Sequence, residues 1–137
     1  MPRTSVLPLL ALVALAGCGA SSTSKNAKDF SGDEKAVAQT IDDFSKAARD
    51  SDEKEICTSL LSTDIVRRLD ATRQRCTGAI SDQLDAAGDD KLDVKGIDIT
   101  GPQATATVVS KVDGHDRTRA LLLVKENGSW RLDGVRG

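Results

Sequence analysis

The chain has 137 residues, a formal net charge of -2 and an aromatic content of 2%, with no tyrosine and a single histidine, His115. A chain of this length forms one domain of ordinary size. The near-balanced charge argues against a nucleic-acid partner, because general nucleic-acid binders carry a basic surface. The scarcity of aromatic side chains also argues against base-stacking platforms.

The beginning of the chain has the pattern of a leader. Arg3 precedes an apolar run over residues 6–16. As a helix this run would be about 16 Å long, too short to cross a hydrocarbon core of about 30 Å. The pattern is therefore typical of a secretory signal peptide and not of a membrane-spanning helix.

The residues that follow indicate a specific kind of leader, because Leu15-Ala16-Gly17-Cys18 resembles the lipobox of bacterial lipoproteins. In that family the leader is cleaved before the cysteine, whose thiol receives a diacylglycerol group with acyl chains such as palmitate. The resemblance implies a signal peptide over residues 1–17, lipidation of Cys18, and anchoring on the extracytoplasmic face of the cell membrane. Two or three acyl chains would hold the protein firmly, since each buried CH2 contributes about 0.8 kcal/mol. An ordinary signal peptide with an incidental cysteine is the alternative.

Residues 18–32 are small and polar and show no apolar periodicity. This composition predicts a flexible tether between the lipid and the folded part of the chain. The folded domain is then expected to span residues 33–137.

With Cys18 assigned to lipid, Cys57 and Cys76 remain. An even number of cysteines in an exported domain indicates one disulfide. Closing a loop of about 20 residues would stabilise the fold by about 3 kcal/mol in the chain-entropy model. Two free buried thiols or a metal pair are the alternatives, although two cysteines without a nearby histidine make a poor zinc site.

The first half of the domain has helical periodicity. One face of a helix predicted over residues 33–50 carries Val37, Ile41, Phe44 and Ala48. A shorter helix is predicted over residues 53–61, a brief third helix follows the cap residues 62–64, and a fourth is predicted over 72–87. Cys57 and Cys76 lie on the apolar faces of the second and fourth helices, so a bridge between them is sterically reasonable.

The apolar period then changes from 3.6 to 2, which indicates strands. Strands are predicted over residues 92–99, 104–109, 118–125 and 130–135, with a bulge at Lys95-Gly96. Turns are predicted at Gly101-Pro102, at residues 113–116 and at Asn127-Gly128. Helices followed by strands predict an α+β fold, in which the N-terminal helices pack on one face of a C-terminal antiparallel four-strand meander.

The closing hairpin, LLLVKENGSWRL over residues 121–132, resembles the C-terminal hairpin of the NTF2-like (cystatin-like) superfamily. The order of helices first and a curved antiparallel sheet after resembles the same superfamily over residues 33–137. Small exported actinobacterial lipoproteins with such a domain often carry a similar helical cysteine pair. The resemblance implies a cone-shaped domain with a cavity between sheet and helices, for which Phe44 and Trp130 are the candidate lining residues.

The superfamily includes isomerases, dehydratases, ligand binders and structural dimers, so its fold does not define a function. No catalytic residue carries over, because the isomerase type needs a tyrosine donor and the dehydratase type needs paired histidines. We expect no cofactor and no metal. The sequence favours a non-catalytic binding or accessory module at the cell envelope. Its expected partners are the membrane, through Cys18, and a small hydrophobic ligand or an envelope protein. The alternatives are an NTF2-like enzyme with an unfamiliar cavity site and a structural homodimer.

Three further clusters have both a functional and a structural interpretation. The functional interpretations are metal binding by His115 with Asp113 and Asp116, calcium binding by Asp89, Asp90 and Asp93, and anion binding by Arg67, Arg68, Arg73 and Arg75. The aspartates lack the looped spacing of a calcium site, and acidic neighbours dilute the arginines. Solvated turns and a solvated helix face are the favoured interpretations.

Overall fold

The computed structural model describes residues 26–87 and 91–137. The predicted leader, Cys18, most of the predicted tether, and Asp89 and Asp90 lie outside the described residues. A 3-10 turn at Ala27–Asp29 precedes α1 (Gly32–Arg49). Helix α2 (Glu53–Glu55) continues directly into a π-helical segment, Ile56–Leu60, and is followed by α3 (Thr63–Asp70) and α4 (Arg75–Ala87).

Four antiparallel strands form one sheet in the order β1-β2-β3-β4. Their bounds are β1 Asp93–Thr100, β2 Gln103–Val112, β3 His115–Glu126 and β4 Ser129–Arg136. The register shifts between Val94 and Gly96, as the predicted bulge requires, and again between Leu122 and Leu123. Bulges increase the local twist of a sheet. The α+β meander predicted from the sequence is confirmed.

The hairpin between β2 and β3 is tighter than predicted. Asp113 and Gly114 have φ values of 52° and 78° and form a two-residue turn, while Val112 pairs with His115. Positive φ at both central residues matches the twist of the flanking strands, so the ladder continues up to the turn. His115 and Asp116 are therefore strand residues, and their predicted place in a loop is wrong.

The core lies between α1 and the inner face of the sheet. From α1, Val37 and Ile41 are fully buried, and α1 contacts β1, β2 and β4. The inner face of the sheet contributes Val94, Ala104, Ala106, Val108, Leu121, Leu123, Trp130 and Leu132. Each large aliphatic side chain buried in this way contributes about 1.5–3 kcal/mol, so the packing of α1 on the sheet stabilises the domain.

The described part of the predicted tether is packed on the domain. Ala27 is buried, and Phe30 packs against the core. The backbone N–H of Asn26 donates to the Asp29 carboxylate at 2.8 Å, which closes the 3-10 turn.

Candidate functional site

The two candidate lining residues lie at different depths. Trp130 of β4 is 4% exposed and belongs to the core, whereas Phe44 of α1 is half-buried and packs against that core. On the inner face, Leu132 lies two residues along the strand from Trp130, and it pairs with Leu123 of β3. Both leucines are buried. The surroundings of Trp130 are thus a packed apolar core, with Phe44 at its margin.

A charged pair closes the core above Trp130. Lys125 pairs with Trp130 across the hairpin and places Nζ 5.6 Å from the centre of the indole ring. The same Nζ donates to the Asp33 carboxylate of α1 at 3.0 Å. This hydrogen bond, more than any other cause, lowers the pKa of Asp33 below its ordinary value of 3.8, while partial desolvation opposes it. The buried indole N–H lies near the same carboxylate and lowers its pKa slightly further, but it forms no hydrogen bond.

Cys57 and Cys76 lie at disulfide distance, with their sulfur atoms 2.04 Å apart and their Cα atoms 6.1 Å apart. Cys57 belongs to the π-helical segment and Cys76 to the first turn of α4. Both side chains are buried. The Cys76 backbone N–H also donates to the Asp70 carboxylate at the end of α3, at 3.0 Å. The bridge therefore fixes α4 to the π-helical segment across the intervening helix.

The end of the π-helical segment receives a positive charge from the sheet. The Leu61 N–H donates to the Ile56 carbonyl at 3.0 Å, which closes the wide turn. Arg131 of β4 then donates through Nη1 to the carbonyls of Thr58 at 3.1 Å and Leu61 at 3.5 Å. Carbonyls at a helix C-terminus carry a partial negative charge and have no intrahelical partner. Arg131 thus caps this end of the segment.

The adjoining beginning of α3 receives a negative charge from the same hairpin. The Glu126 carboxylate accepts from the Thr63 N–H at 3.1 and 3.2 Å and from the Thr63 hydroxyl at 2.8 Å. It also lies 3.7 Å from Arg131 Nε. A carboxylate at a helix N-terminus interacts favourably with the partial positive charge of the helix dipole. We call Glu126 and Arg131, with opposite charges at two adjoining helix ends, the hairpin clamp.

Ser62 fixes the link between these two helix ends. Its side chain is completely buried, accepts from the Ile65 N–H at 3.2 Å as an N-cap, and donates to the Asp133 carboxylate of β4 at 2.6 Å. Its backbone N–H donates to the Leu132 carbonyl at 2.7 Å. The turn between the π-helical segment and α3 is therefore bonded to β4 through both side chain and main chain.

A cleft of about 250 Å³ lies between the π-helical segment, α3 and the β3–β4 turn, and its lining includes the hairpin clamp, Cys57, Thr58 and Asn127. The clamp charges already contact the chain's own helix ends. The Thr58 hydroxyl donates to the Lys54 carbonyl at 2.8 Å. The polar groups of this cleft thus serve mainly to hold helices and hairpin together.

The remaining predicted clusters lie on the surface or outside the described residues. His115, Asp113 and Asp116 are exposed. Arg67 and Arg68 form ion pairs with Asp64 on the same helix. Over residues 26–87 and 91–137, no group of three or more histidine, cysteine or acidic side chains is arranged to hold a metal ion. In the same ranges, no helix is long and apolar enough to span a bilayer.

The sequence patterns did not indicate the hairpin clamp, although the proximity of Glu126 to Arg131 follows from the turn between them. The two-residue turn at Asn127-Gly128 pairs Glu126 with Ser129 and Val124 with Arg131. Glu126 and Arg131 are therefore diagonal neighbours on one face of the hairpin. Their contacts with the helix ends have no sequence signal, because they join residues more than sixty positions apart.

No protein-family model and no curated protein matches this chain. Among solved structures, it is similar to an NTF-2 like protein of unknown function from Silicibacter pomeroyi DSS-3. The identity is 15%, the match covers 74% of this chain and 93% of that one, and the TM-score is 0.48. A de novo designed NTF2 fold protein matches with 16% identity, a coverage of 77% and 85%, and a TM-score of 0.52. At this identity the likeness concerns the fold alone. Together with the order of four helices and a four-strand meander in the described residues, the likeness to the designed protein shows that the domain has the NTF2-like fold.

Proposed function

We propose that this protein is a lipid-anchored module of the bacterial cell envelope that binds a partner and performs no catalysis. The observation that carries the proposal is the buried Cys57–Cys76 pair at disulfide distance. Disulfides persist in extracytoplasmic compartments and are rare in a reducing cytosol. The lipobox-like residues 15–18 precede the domain and its predicted tether and would supply the means of anchoring it there.

The packing of the domain supports a partner on its surface. The inner face around Trp130 is filled by buried side chains, and the charges of the hairpin clamp are engaged with helix ends. A small hydrophobic ligand in the cone would have to displace this core, whereas an envelope protein could dock without disturbing it. We therefore favour a protein partner over a small ligand.

The anchor is tested by expressing the full chain in a bacterium that processes lipoproteins, beside a Cys18→Ser variant. We expect the wild-type protein in the membrane fraction after a high-salt wash, with an N-terminal peptide that begins at Cys18 and carries a diacylglycerol mass. The Cys18→Ser variant should lose both properties. A matched control, Ser22→Ala, keeps the thiol and should behave as the wild type.

A wild-type protein recovered with an unmodified Cys18 thiol would contradict the anchor. Free thiols at Cys57 and Cys76, measured by alkylation under denaturing conditions without reductant, would contradict the extracytoplasmic location.

A further inference from the structure

The hairpin of β2 and β3 projects beyond the rest of the sheet. The pairing of β1 with β2 begins at Asp93 and Val109, and the pairing of β3 with β4 stops at Ala120 and Arg136. Among the described residues, 115–119 of β3 therefore pair with β2 alone, and their side chains are all exposed. At about 3.4 Å for each residue, they form an open strand edge roughly 17 Å long on the side of β4. We call residues 115–119 the free edge.

The two hairpin turns determine which main-chain groups face outwards at the free edge. Residues that flank a two-residue turn bond to each other, and the bonding side then alternates along an antiparallel strand. His115 flanks the β2–β3 turn and Glu126 flanks the β3–β4 turn, so odd-numbered residues of β3 bond to β2 and even-numbered residues face β4. Asp116 and Thr118 therefore direct their N–H and C=O groups outwards, where β4 no longer pairs with them.

The side chains on the inner face of the free edge are basic. His115, Arg117 and Arg119 alternate along β3 and share this face. Their partners on β2 are uncharged: Val112, Ser110 and Val108. Neither arginine forms an ion pair with another described residue. Opposite charges directly across two strands stabilise the pairing, and like charges destabilise it. The free edge is therefore complementary to a strand with acidic side chains at alternate positions, and it repels the same edge of a second copy.

We propose that the free edge binds an extended acidic segment of an envelope protein, which adds to β3 as a short fifth strand in line with β4. The outward N–H and C=O groups of Asp116 and Thr118 bond to the main chain of the segment, as in other cases of strand addition. Beside an antiparallel segment, Arg117 and Arg119 occupy the non-hydrogen-bonded pairs, in which opposite side chains are closest. Two carboxylates at alternate positions of the segment thus meet both guanidinium groups, which can bind them in bidentate fashion.

The free edge lies at the opposite end of the sheet from the predicted anchor. Helix α1 begins beside the β3–β4 turn, since Asp33 bonds to Lys125, and Lys125 is roughly 34 Å along β3 from His115. The turn before α3 contacts the edge of β4 at Leu132, short of the free edge. A partner can therefore reach the free edge without meeting the segment that leads to Cys18. The inference deepens the proposed partner-binding function, and it rests on that function only in placing the partner in the envelope.

The test is a fluorescence anisotropy titration of a labelled acidic peptide, TETETET with blocked ends, with the full chain in a neutral detergent at low salt. We expect saturable binding to the wild type, and binding about tenfold weaker when glutamine replaces every glutamate of the peptide. Arg117→Glu should weaken binding of the acidic peptide at least tenfold. Arg73→Glu, the same charge change at an exposed position before α4, is the matched control and should leave the dissociation constant unchanged.

Thr118→Pro separates strand addition from simple charge attraction. Proline removes the N–H that faces the segment, but it leaves the bonds between β3 and β2 in place and is tolerated at a strand edge. We expect this variant to bind the peptide about tenfold more weakly, with an unchanged circular dichroism spectrum.

A wild type that does not bind the acidic peptide would overturn the proposal. Undiminished binding by Thr118→Pro, or polyphosphate bound as tightly as the peptide, would overturn strand addition and leave a general anion-binding surface. The N-terminal mass of the same samples reports the anchor separately, so failure of the peptide site and failure of the anchor are distinguishable.

Discussion

Glu126 couples the sheet to the N-terminus of α3. Its carboxylate accepts hydrogen bonds from the backbone N–H and the hydroxyl of Thr63, and it lies 3.7 Å from Arg131 Nε. Hydrogen bonds to a charged group contribute more than neutral ones, typically about 1.5–3 kcal/mol before solvent exposure is considered. Because the Glu126 side chain is 23% exposed, its contribution belongs at the lower end of that range.

Glu126→Ala should lower the free energy of unfolding by about 1–2 kcal/mol, since it removes the acceptor at the α3 N-terminus and leaves Arg131 without its carboxylate. Glu126→Gln, which keeps one acceptor oxygen, should lose less. Urea denaturation followed by circular dichroism measures both values. Glu55→Ala, at an exposed position of α2, serves as the control and should change stability by less than about 0.5 kcal/mol. An alanine effect at position 126 no larger than this control would contradict the capping role.

At the scale of elements, the β3–β4 hairpin is specified by its turn. Asn127 and Gly128 have φ values of 50° and 82°, the backbone conformation for which Asn-Gly is strongly preferred. The turn sets the register that brings Lys125 opposite Trp130 and Glu126 diagonal to Arg131. A local preference of two residues thus positions the hairpin clamp.

Gly128→Ala should destabilise the domain by about 1–2 kcal/mol, the usual cost of a left-handed conformation for a residue with a Cβ atom. No atom lies within 4 Å of a Cβ built at Gly128, so this cost comes from the backbone alone. Gly96 offers a matched control, because the space around it is equally open and its φ is not positive. Gly96→Ala should be neutral or stabilise the fold by about 0.4–1 kcal/mol. Equal effects of the two substitutions in thermal unfolding would refute this account of the turn.

The helices and strands were largely predictable from apolar periodicity and turn residues. Where their observed bounds differ from the predicted ones, the causes are local. Helix α4 begins at Arg75 and not at residue 72, because the left-handed φ of 57° at Arg75 prevents a helix that started at residue 72 from continuing through this position. The π-helical segment has no signature in the apolar pattern, because both Cys57 and Leu60 are buried there as they would be in an α-helix. The burial of Trp130 was foreseeable from its strand, whereas the capping of two helix ends by one hairpin depends on tertiary contacts.

At the scale of the whole molecule, the Cys57–Cys76 bridge attaches α4, which contacts mainly other helices, to the π-helical segment, which the sheet holds. Helix α4 contacts α2, α3 and the π-helical segment, so its attachment to the domain runs mainly through other helices. The bridge provides a covalent attachment at the first turn of α4. It therefore couples the last helix to the cooperative unfolding of the core.

Replacing both cysteines, as in Cys57→Ser with Cys76→Ser, should lower the free energy of unfolding by about 3 kcal/mol, since the unfolded chain loses the constraint of a closed loop. Urea denaturation of the wild type in a strong phosphine reductant should converge on the curve of this variant. Hydrogen exchange should show α4 opening before the sheet in both cases. A variant as stable as the oxidised wild type would exclude a stabilising role for the bridge.

The attachment of the π-helical segment to β4 has a consequence for aggregation. Leu61 forms a parallel bridge with Leu132, and Ser62 donates its N–H to the Leu132 carbonyl, so the middle of the outer edge of β4 is already occupied by the chain itself. At the opposite edge, the bulge in β1 interrupts the row of free main-chain groups next to Asp93 and Asp98. Both devices hinder the addition of a foreign strand. Growth of several copies into open-ended cross-β fibrils is therefore hindered at both edges of the sheet.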